Sequence, residues 1–288
     1  MTSKLRANMP FARYLEIPAQ SVSGLKHLRR SPMHFKHARE NPKPPTPAMA
    51  FGTAAHCAVL EPDRFGRDFV VWDRTTDTGR AAPRNGKVWD SFLAKAQADG
   101  ATVITADEHA QCLALQRAVR SDPVAAPYLE RGLPEVVMQW ETDDGRKCKG
   151  RADWLTAING TACLVGLKTT RDVTPRVFAN TASRLGYHLQ WAWYADGYQR
   201  VQPDAQPATV EIVVEAEAPY AVTVYVVPDH VIDQGRSEYQ RLLEQLAACE
   251  ARNHWPGPSE MPIVFELPAW AYDGEGDDGA SALDWEGA

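Results

Sequence analysis

The chain has 288 residues, 44% of them hydrophobic and 24% charged, a globular composition that excludes a fully disordered chain. This length suits one large domain or two small ones, with a core that needs neither disulfides nor a structural metal. The formal net charge of -6 argues at first against a nucleic-acid partner.

Ser21 or Ser23 can cap a short basic helix running to about Arg30, with Ser31-Pro32 as its stop. Four prolines between Glu40 and Pro47 read as a linker, and Ala48 to Leu60 as a second helix stopped by Glu61-Pro62. Asp73 to Lys87 is polar and aperiodic, hence a loop. Thr105 starts a helix to about Val119, with Ala110, Leu113, Ala114 and Ala118 at helical spacing. Glu135–Glu141 and Lys147–Ala157 flank the turn Asp143-Asp144-Gly145 and predict a hairpin. After Asn159-Gly160 comes a third strand, Ala162–Lys168. Thr174-Pro175 opens a helix, and a longer one covers about Tyr187 to Arg200. Thr209–Glu215 and Tyr220–Val227 are strands, and Val231–Ala251 is a long amphipathic helix. The pattern predicts an α/β (α+β) fold, a central mixed β-sheet flanked by helices.

The charge is unevenly placed. Residues Asp273 to Ala288 hold six acidic side chains and no basic one; without them the chain has 31 acidic and 31 basic residues. Met1 to Glu40 carries eight Lys/Arg against two Glu. A basic front and an acidic, disordered tail fit a nucleic-acid protein better than the total does, although a solvated surface has the same look. The expected division is a basic helical segment and linker at 1–47, a main domain at 48–272 and the tail at 273–288. Five cysteines without a C-x-x-C pair exclude a zinc ribbon, an iron–sulfur cluster and a secreted disulfide framework. No apolar run approaches the roughly 20 residues that span a bilayer, and no signal-peptide core opens the chain. A soluble, cytoplasmic protein without a membrane partner is expected.

Asp153 lies on the second central strand and Lys168 ends the third. Pairing them as a hairpin puts Asp153 near Gly166, with Lys168 close by. A carboxylate beside an ammonium can hold a hard divalent cation and steady a developing oxyanion. The same pair would also serve as a half-buried ion pair. His56 on its helix is either a ligand or a packed core residue. Gln190 and Tyr194, four apart, share a helical face; they either meet a phosphate or base edge or cap the core.

In this order, His56, Asp153, Lys168 and Gln190-x-x-x-Tyr194 resemble the PD-(D/E)XK nucleases of the RecB-like branch. The flanks resemble the exonuclease VIII (RecE-type) recombination nucleases of phages and prophages. The segments are Ser21-Val-Ser-Gly-Leu-Lys with Ser31-Pro32, Gly52-Thr-Ala-Ala-His56 with Leu60-Glu61-Pro62, and Lys149-Gly-Arg-Ala-Asp153-Trp-Leu. Leu167-Lys-Thr-Thr with Asp172, Gly186-Tyr-His-Leu-Gln190, Trp255-Pro and Leu267-Pro-Ala-Trp270 follow, so the likeness covers about 14–272.

The resemblance implies a metal-dependent exodeoxyribonuclease that degrades linear double-stranded DNA 5′ to 3′ for recombination by strand annealing. Mg²⁺, with Mn²⁺ as a substitute, would be held by His56, Asp153 and the Leu167 backbone carbonyl. Lys168 would orient water or steady the phosphate, and Gln190 and Tyr194 would support the site. Lys26, Arg29 and Arg30, with Arg151 and Thr169 beside the motifs, are the DNA-contact candidates. Implied partners are linear duplex ends, a single-strand annealing protein and further copies in a ring, a tetramer or trimer, in a bacterial host. The cysteine-cluster nucleases of CRISPR adaptation are disfavoured, since no cysteine quartet exists.

One position departs from the pattern. Gly166 stands where the family has a second metal-binding Asp. Three explanations are open: a disabling substitution, a natural pseudo-nuclease, or another acid such as Glu141 or Asp172 reaching the metal. The sequence therefore predicts DNA binding with poor cutting, raised by Gly166→Asp. The alternative is a non-catalytic DNA-end-binding scaffold that recruits the annealing protein.

Overall fold

The computed structural model describes residues 3–43, 46–76, 78–79 and 82–268. The N-terminal third holds β1 (Lys4–Arg6), α1 (Phe11–Glu16), β2 (Gln20–Ser21), α2 (Val22–Leu25) running into a 3-10 turn (Lys26–Arg29), α3 (Pro32–Glu40), α4 (Pro47–Leu60), α5 (Pro62–Asp68) and β3 (Phe69–Trp72). Next come α6 (Gly86–Ala98), β4 (Thr102–Thr105), α7 (Ala106–Ser121), α8 (Ala126–Leu129), β5 (Leu133–Glu141), β6 (Lys147–Ile158) and β7 (Thr161–Thr170). The last third holds α9 (Pro175–Leu185), α10 (Tyr187–Val201), β8 (Ala208–Glu215), β9 (Val222–Val227) and α11 (Asp229–Arg252).

The main sheet runs β1-β5-β6-β7-β8-β9, with β2 pairing β6 in parallel. Tight turns make β5–β6 and β6–β7 antiparallel. The second turns on Asn159 (φ 50) and Gly160 (φ 82), the left-handed pair that a two-residue hairpin demands. β7 and β8 are parallel because α9 and α10 intervene and carry the chain back. The sheet is therefore mixed, as the sequence predicts.

Both faces are covered. On one, Ala54 and Ala58 of α4 and Leu115 of α7 share a core with Val165, Leu167 and Ile212. On the other, Leu189 and Trp193 of α10 and Leu246 of α11 share one with Met138 and Leu164. Side chains alternate along a strand, so Gly166 and Lys168 on β7 face the α10 side, as does Glu211 between Val210 and Ile212 on β8. Helices α10 and α11 touch where Gly235 meets the His188 carbonyl; an added Cβ would lie 2.0 Å from that oxygen.

Several elements differ from the sequence expectation. Ser31-Pro32 ends the helical run at Arg29, with Ser31 extended, and also starts α3, which the sequence did not show; the Ser31 hydroxyl accepts from the His34 amide, because proline suits the first turn as well as a terminus. Pro62 likewise opens α5. Of the polar stretch 73–87, Gly86 and Lys87 already belong to α6, and β3 and β4, a separate parallel pair of four residues each, carried too short a pattern to be read. Pro44, Pro45, Arg80, Ala269, Trp270 and the acidic tail lie outside the described residues.

Candidate active site

The site forms where two strands part. β6 and β7 pair from Ile158↔Thr161 up to Trp154↔Val165. Beyond that, β6 stays on β5 through Lys147, and β7 stays on β8 through Thr170. Asp153 is the first residue in the fork. Its Oδ2 accepts the Leu167 amide at 3.0 Å, satisfying a backbone donor that the parted ladder leaves open.

Lys168 points into the same fork. Its Nζ lies 3.5 Å from Asp153 Oδ2, 3.2 Å from the Leu167 carbonyl oxygen and 3.2 Å from Glu211 Oε1. Three oxygens from two strands and one backbone thus converge on a single cation. Burial favours the neutral amine, but Glu211 and Asp153 outweigh it and hold Lys168 above its ordinary range, so it stays an ammonium. For Asp153, burial opposes ionisation, while Lys168, His56 and the Leu167 amide together hold it below the usual carboxylate range. His56 Nδ1 is 3.9 Å from Asp153 Oδ2. Burial depresses His56 against the pull of Asp153, which favours the neutral imidazole that a metal requires.

Gln190 and Tyr194 line a small cavity with Asp153, Gly166, Trp191 and Glu211. Both come from α10, one turn apart, which places them over the fork. Tyr194 stays a neutral phenol, raised by burial above all, and its ring packs where a Cβ on Gly150 would be 3.0 Å away. The expected set of His56, Asp153, Leu167, Lys168, Gln190 and Tyr194 is therefore assembled around one fork.

The DNA-contact candidates are placed unequally. Lys26 stands 5.5 Å from the Tyr187 ring, and Lys168 is 5.4 Å from the same ring. Burial first, then Lys168 and Arg29, push Lys26 down to about 8. Arg30 is exposed and Thr169 half-buried. Arg29 is occupied in packing: it donates to Glu238 at 2.8 Å and to the Arg184 and Ser183 carbonyls at 3.0 and 3.2 Å. Arg151 pairs with Glu135 at 2.8 Å and stacks 4.9 Å from the Phe11 ring.

Of the acids considered for the place of the missing one, neither is at the site. Glu141 pairs in register with Lys147, six residues along β6 from Asp153, roughly 20 Å away. Asp172 is half-buried in the turn after β7 and accepts the Thr174 amide at 2.7 Å. The acid at the site is Glu211, which the sequence reading missed. Its carboxylate fills the place of a residue-166 side chain: a Cβ there would meet Oε1 at 2.4 Å and Oε2 at 2.5 Å. Trp191 Nε1 donates to Oε2. Oε1 is buried with only the ion pair to Lys168, outside hydrogen-bond geometry. Glu211 is 1% exposed, and burial raises its carboxyl against the pull of Lys168.

For the expectation that Gly166→Asp raises activity the structure adds one requirement: the Glu211 carboxylate must shift aside to admit a side chain at position 166. Glu135 was also missed. It sits between the pairs Pro134↔Trp154 and Val136↔Ala152, with φ 52, and so faces Asp153 across the strands. Burial, then Asp153, push its carboxyl up to about 7. The available signals were one acid inside the apolar run of β8 and a glycine inside β7; neither says what lies opposite.

The fit of a divalent metal follows from these atoms. Two carboxylates, a carbonyl and an imidazole form a hard, oxygen-rich set, and one buried oxygen lacks a hydrogen bond. Among the described residues no cluster of three His, Cys, Asp or Glu side chains stands ready as a cage, and the Lys168 ammonium sits between the two carboxylates.

The family model described as a PDDEXK-like domain of unknown function (DUF3799) matches residues 21–264. The chain belongs to this PDDEXK-like family. A Eubacterium rectale crystal structure, named as that of a candidate exonuclease, aligns at a TM-score of 0.56. It is 14% identical, over 92% of this chain and 96% of that one, and so shares the fold. SSO0001 aligns at 0.26 with 16% identity over 38% of this chain and 50% of that one. Protein VC1899 from Vibrio cholerae aligns at 0.24 with 12% identity over 85% and 60%. Neither carries an argument. No curated protein matches the chain.

Proposed function

We propose that this PDDEXK-like chain is a metal-dependent nuclease that degrades linear double-stranded DNA from its ends, 5′ to 3′, in support of recombination by strand annealing. The observation that carries the nuclease reading is the fork: Asp153, Lys168 and His56 converge there, with Gln190 and Tyr194 above them. DNA as the substrate, its polarity, the annealing partner and a ring of copies rest on the resemblance of the motifs alone.

Asp153, the Leu167 carbonyl and His56 would hold Mg²⁺ or Mn²⁺. Such an ion acidifies a water and draws charge from the scissile phosphate. Lys168 remains protonated, so it acts as a fixed positive charge and donor towards phosphate oxygens. Tyr194 and Gln190 wall the fork and limit how a strand can enter it. Lys26 adds a second cation beside Lys168, suited to the next phosphate.

Digestion of a 5′-phosphorylated linear duplex tests the reading, with Mg²⁺ and with EDTA. Cutting should require metal and fall at least about 100-fold in Asp153→Asn and Lys168→Met, as for loss of one electrostatic group. Metal-independent cutting, or cutting that both variants retain, overturns it. End binding without any cutting would favour the scaffold reading.

A further inference from the structure

We infer that Glu211 supplies the second metal-holding carboxylate of this site, from β8, and that Gly166 is the clearance it needs. The inference rests on the nuclease reading and makes this chain an active enzyme in place of a disabled one.

Four observations carry it. First, Gly166 and Glu211 are direct partners in the parallel β7–β8 ladder, so their side-chain positions are neighbours on one face. Strands lie about 4.8 Å apart, a gap that a glutamate spans. Second, the Glu211 carboxyl carbon lies 2.7 Å from where a Cβ on residue 166 would be. A carboxylate rooted on β8 therefore occupies the place of one rooted on β7. Third, Glu211 Oε1 shares a cation with Asp153 Oδ2 and the Leu167 carbonyl, the ammonium of Lys168. Oxygens that converge on one cation in this way are placed to share another. Fourth, the surroundings hold Glu211 in that pose: it is 1% exposed and Trp191 donates to its other oxygen. A buried acid left over from packing would be costly. A bound divalent ion would complete its coordination and lessen that cost.

The two positions form one unit, so they should be exchangeable only together. The test measures Mn²⁺ binding by calorimetry without DNA, alongside melting temperature and duplex digestion. Wild type should bind Mn²⁺ and cut. Glu211→Gln, nearly the same shape, should bind at least ten-fold more weakly, as even outer partners of a metal are worth about 10–100-fold. Gly166→Asp alone should melt lower than wild type, because its Cβ meets the pinned carboxylate. Gly166→Asp/Glu211→Ala, which moves the acid back to β7 and opens its space, should recover Mn²⁺ binding and cutting. If Glu211→Gln does not fold, the double variant and Gly166→Asp carry the test.

Wild-type Mn²⁺ binding and cutting that survive Glu211→Gln would overturn the inference and leave the nuclease reading intact. Binding by the double variant but not by wild type would also overturn it, with the fork still the metal site. Absence of both binding and cutting in wild type and double variant would remove inference and nuclease reading together.

Discussion

Lys168 is held by opposite charges on both sides, and its protonation follows from that. Asp153 and Glu211 each lie within 3.5 Å of its ammonium. Two acids facing one lysine leave a net negative fork, which is what a divalent cation neutralises. The Trp191 indole is the one hydrogen-bond donor that the described residues supply to the Glu211 carboxylate. Removing a donor from a buried charge costs about 1–3 kcal/mol. Trp191→Phe should therefore lower the stability seen in urea denaturation by that order. An unchanged midpoint would show that the bond contributes nothing.

At the scale of elements, the 3-10 turn, α9, α10 and α11 are tied by one small network. Glu238 on α11 binds Arg29 Nε at 2.8 Å and His188 Nε2 at 2.7 Å. Burial works to raise its carboxyl, but the hydrogen bond with His188 and the charge of Arg29 win and depress it. A carboxyl depressed on folding stabilises the fold above its unfolded value of about 4.5, and that contribution disappears as pH falls through the folded value. Glu238→Gln should be less stable than wild type near pH 7 by about 1.5–3 kcal/mol, the range for a charged hydrogen bond. The gap should close in melts taken progressively below pH 4.5. A gap that is constant with pH would assign the effect to packing. The same network explains why Arg29 is a poor phosphate contact: it already binds α9, through two carbonyls, and α11.

Across the whole molecule, two lysines stand beside the acids of the fork although the chain is net acidic. Lys26 and Lys168 share the Tyr187 ring, and Arg30 is exposed on the same N-terminal segment. If a strand passes there, Arg30→Ala should reduce the salt dependence of DNA binding by about 0.9 in the log–log slope, one phosphate's worth. Binding is measured in EDTA to prevent cutting. An unchanged slope takes Arg30 out of the interface. Arg29→Ala should instead lower the melting temperature.

The hairpin of β6 and β7 was legible because Asn159-Gly160 encodes its turn locally, and Asp153 and Lys168 fall on it at fixed distances. Helix α10 was legible from spacing, which also put Gln190 and Tyr194 on one face. The two-residue β2 and four-residue β3 and β4 were not, since so few residues carry no period. The sequence alone determined the hairpins of the sheet and, through the resemblance of its motifs, which residues to look for at the fork, because local turns pair neighbouring strands and periodicity sets the side-chain face. Only the tertiary structure decided which acid lies beside Gly166 and Lys168 at the fork. Gly166 and Glu211 are 45 residues apart, and the parallel register that joins them is made by the α9–α10 crossover and not by any local signal. Packing also turned Arg29 from a surface charge into a clamp. The partner of a buried charge is set by what folds against it, and spacing along one strand does not contain that.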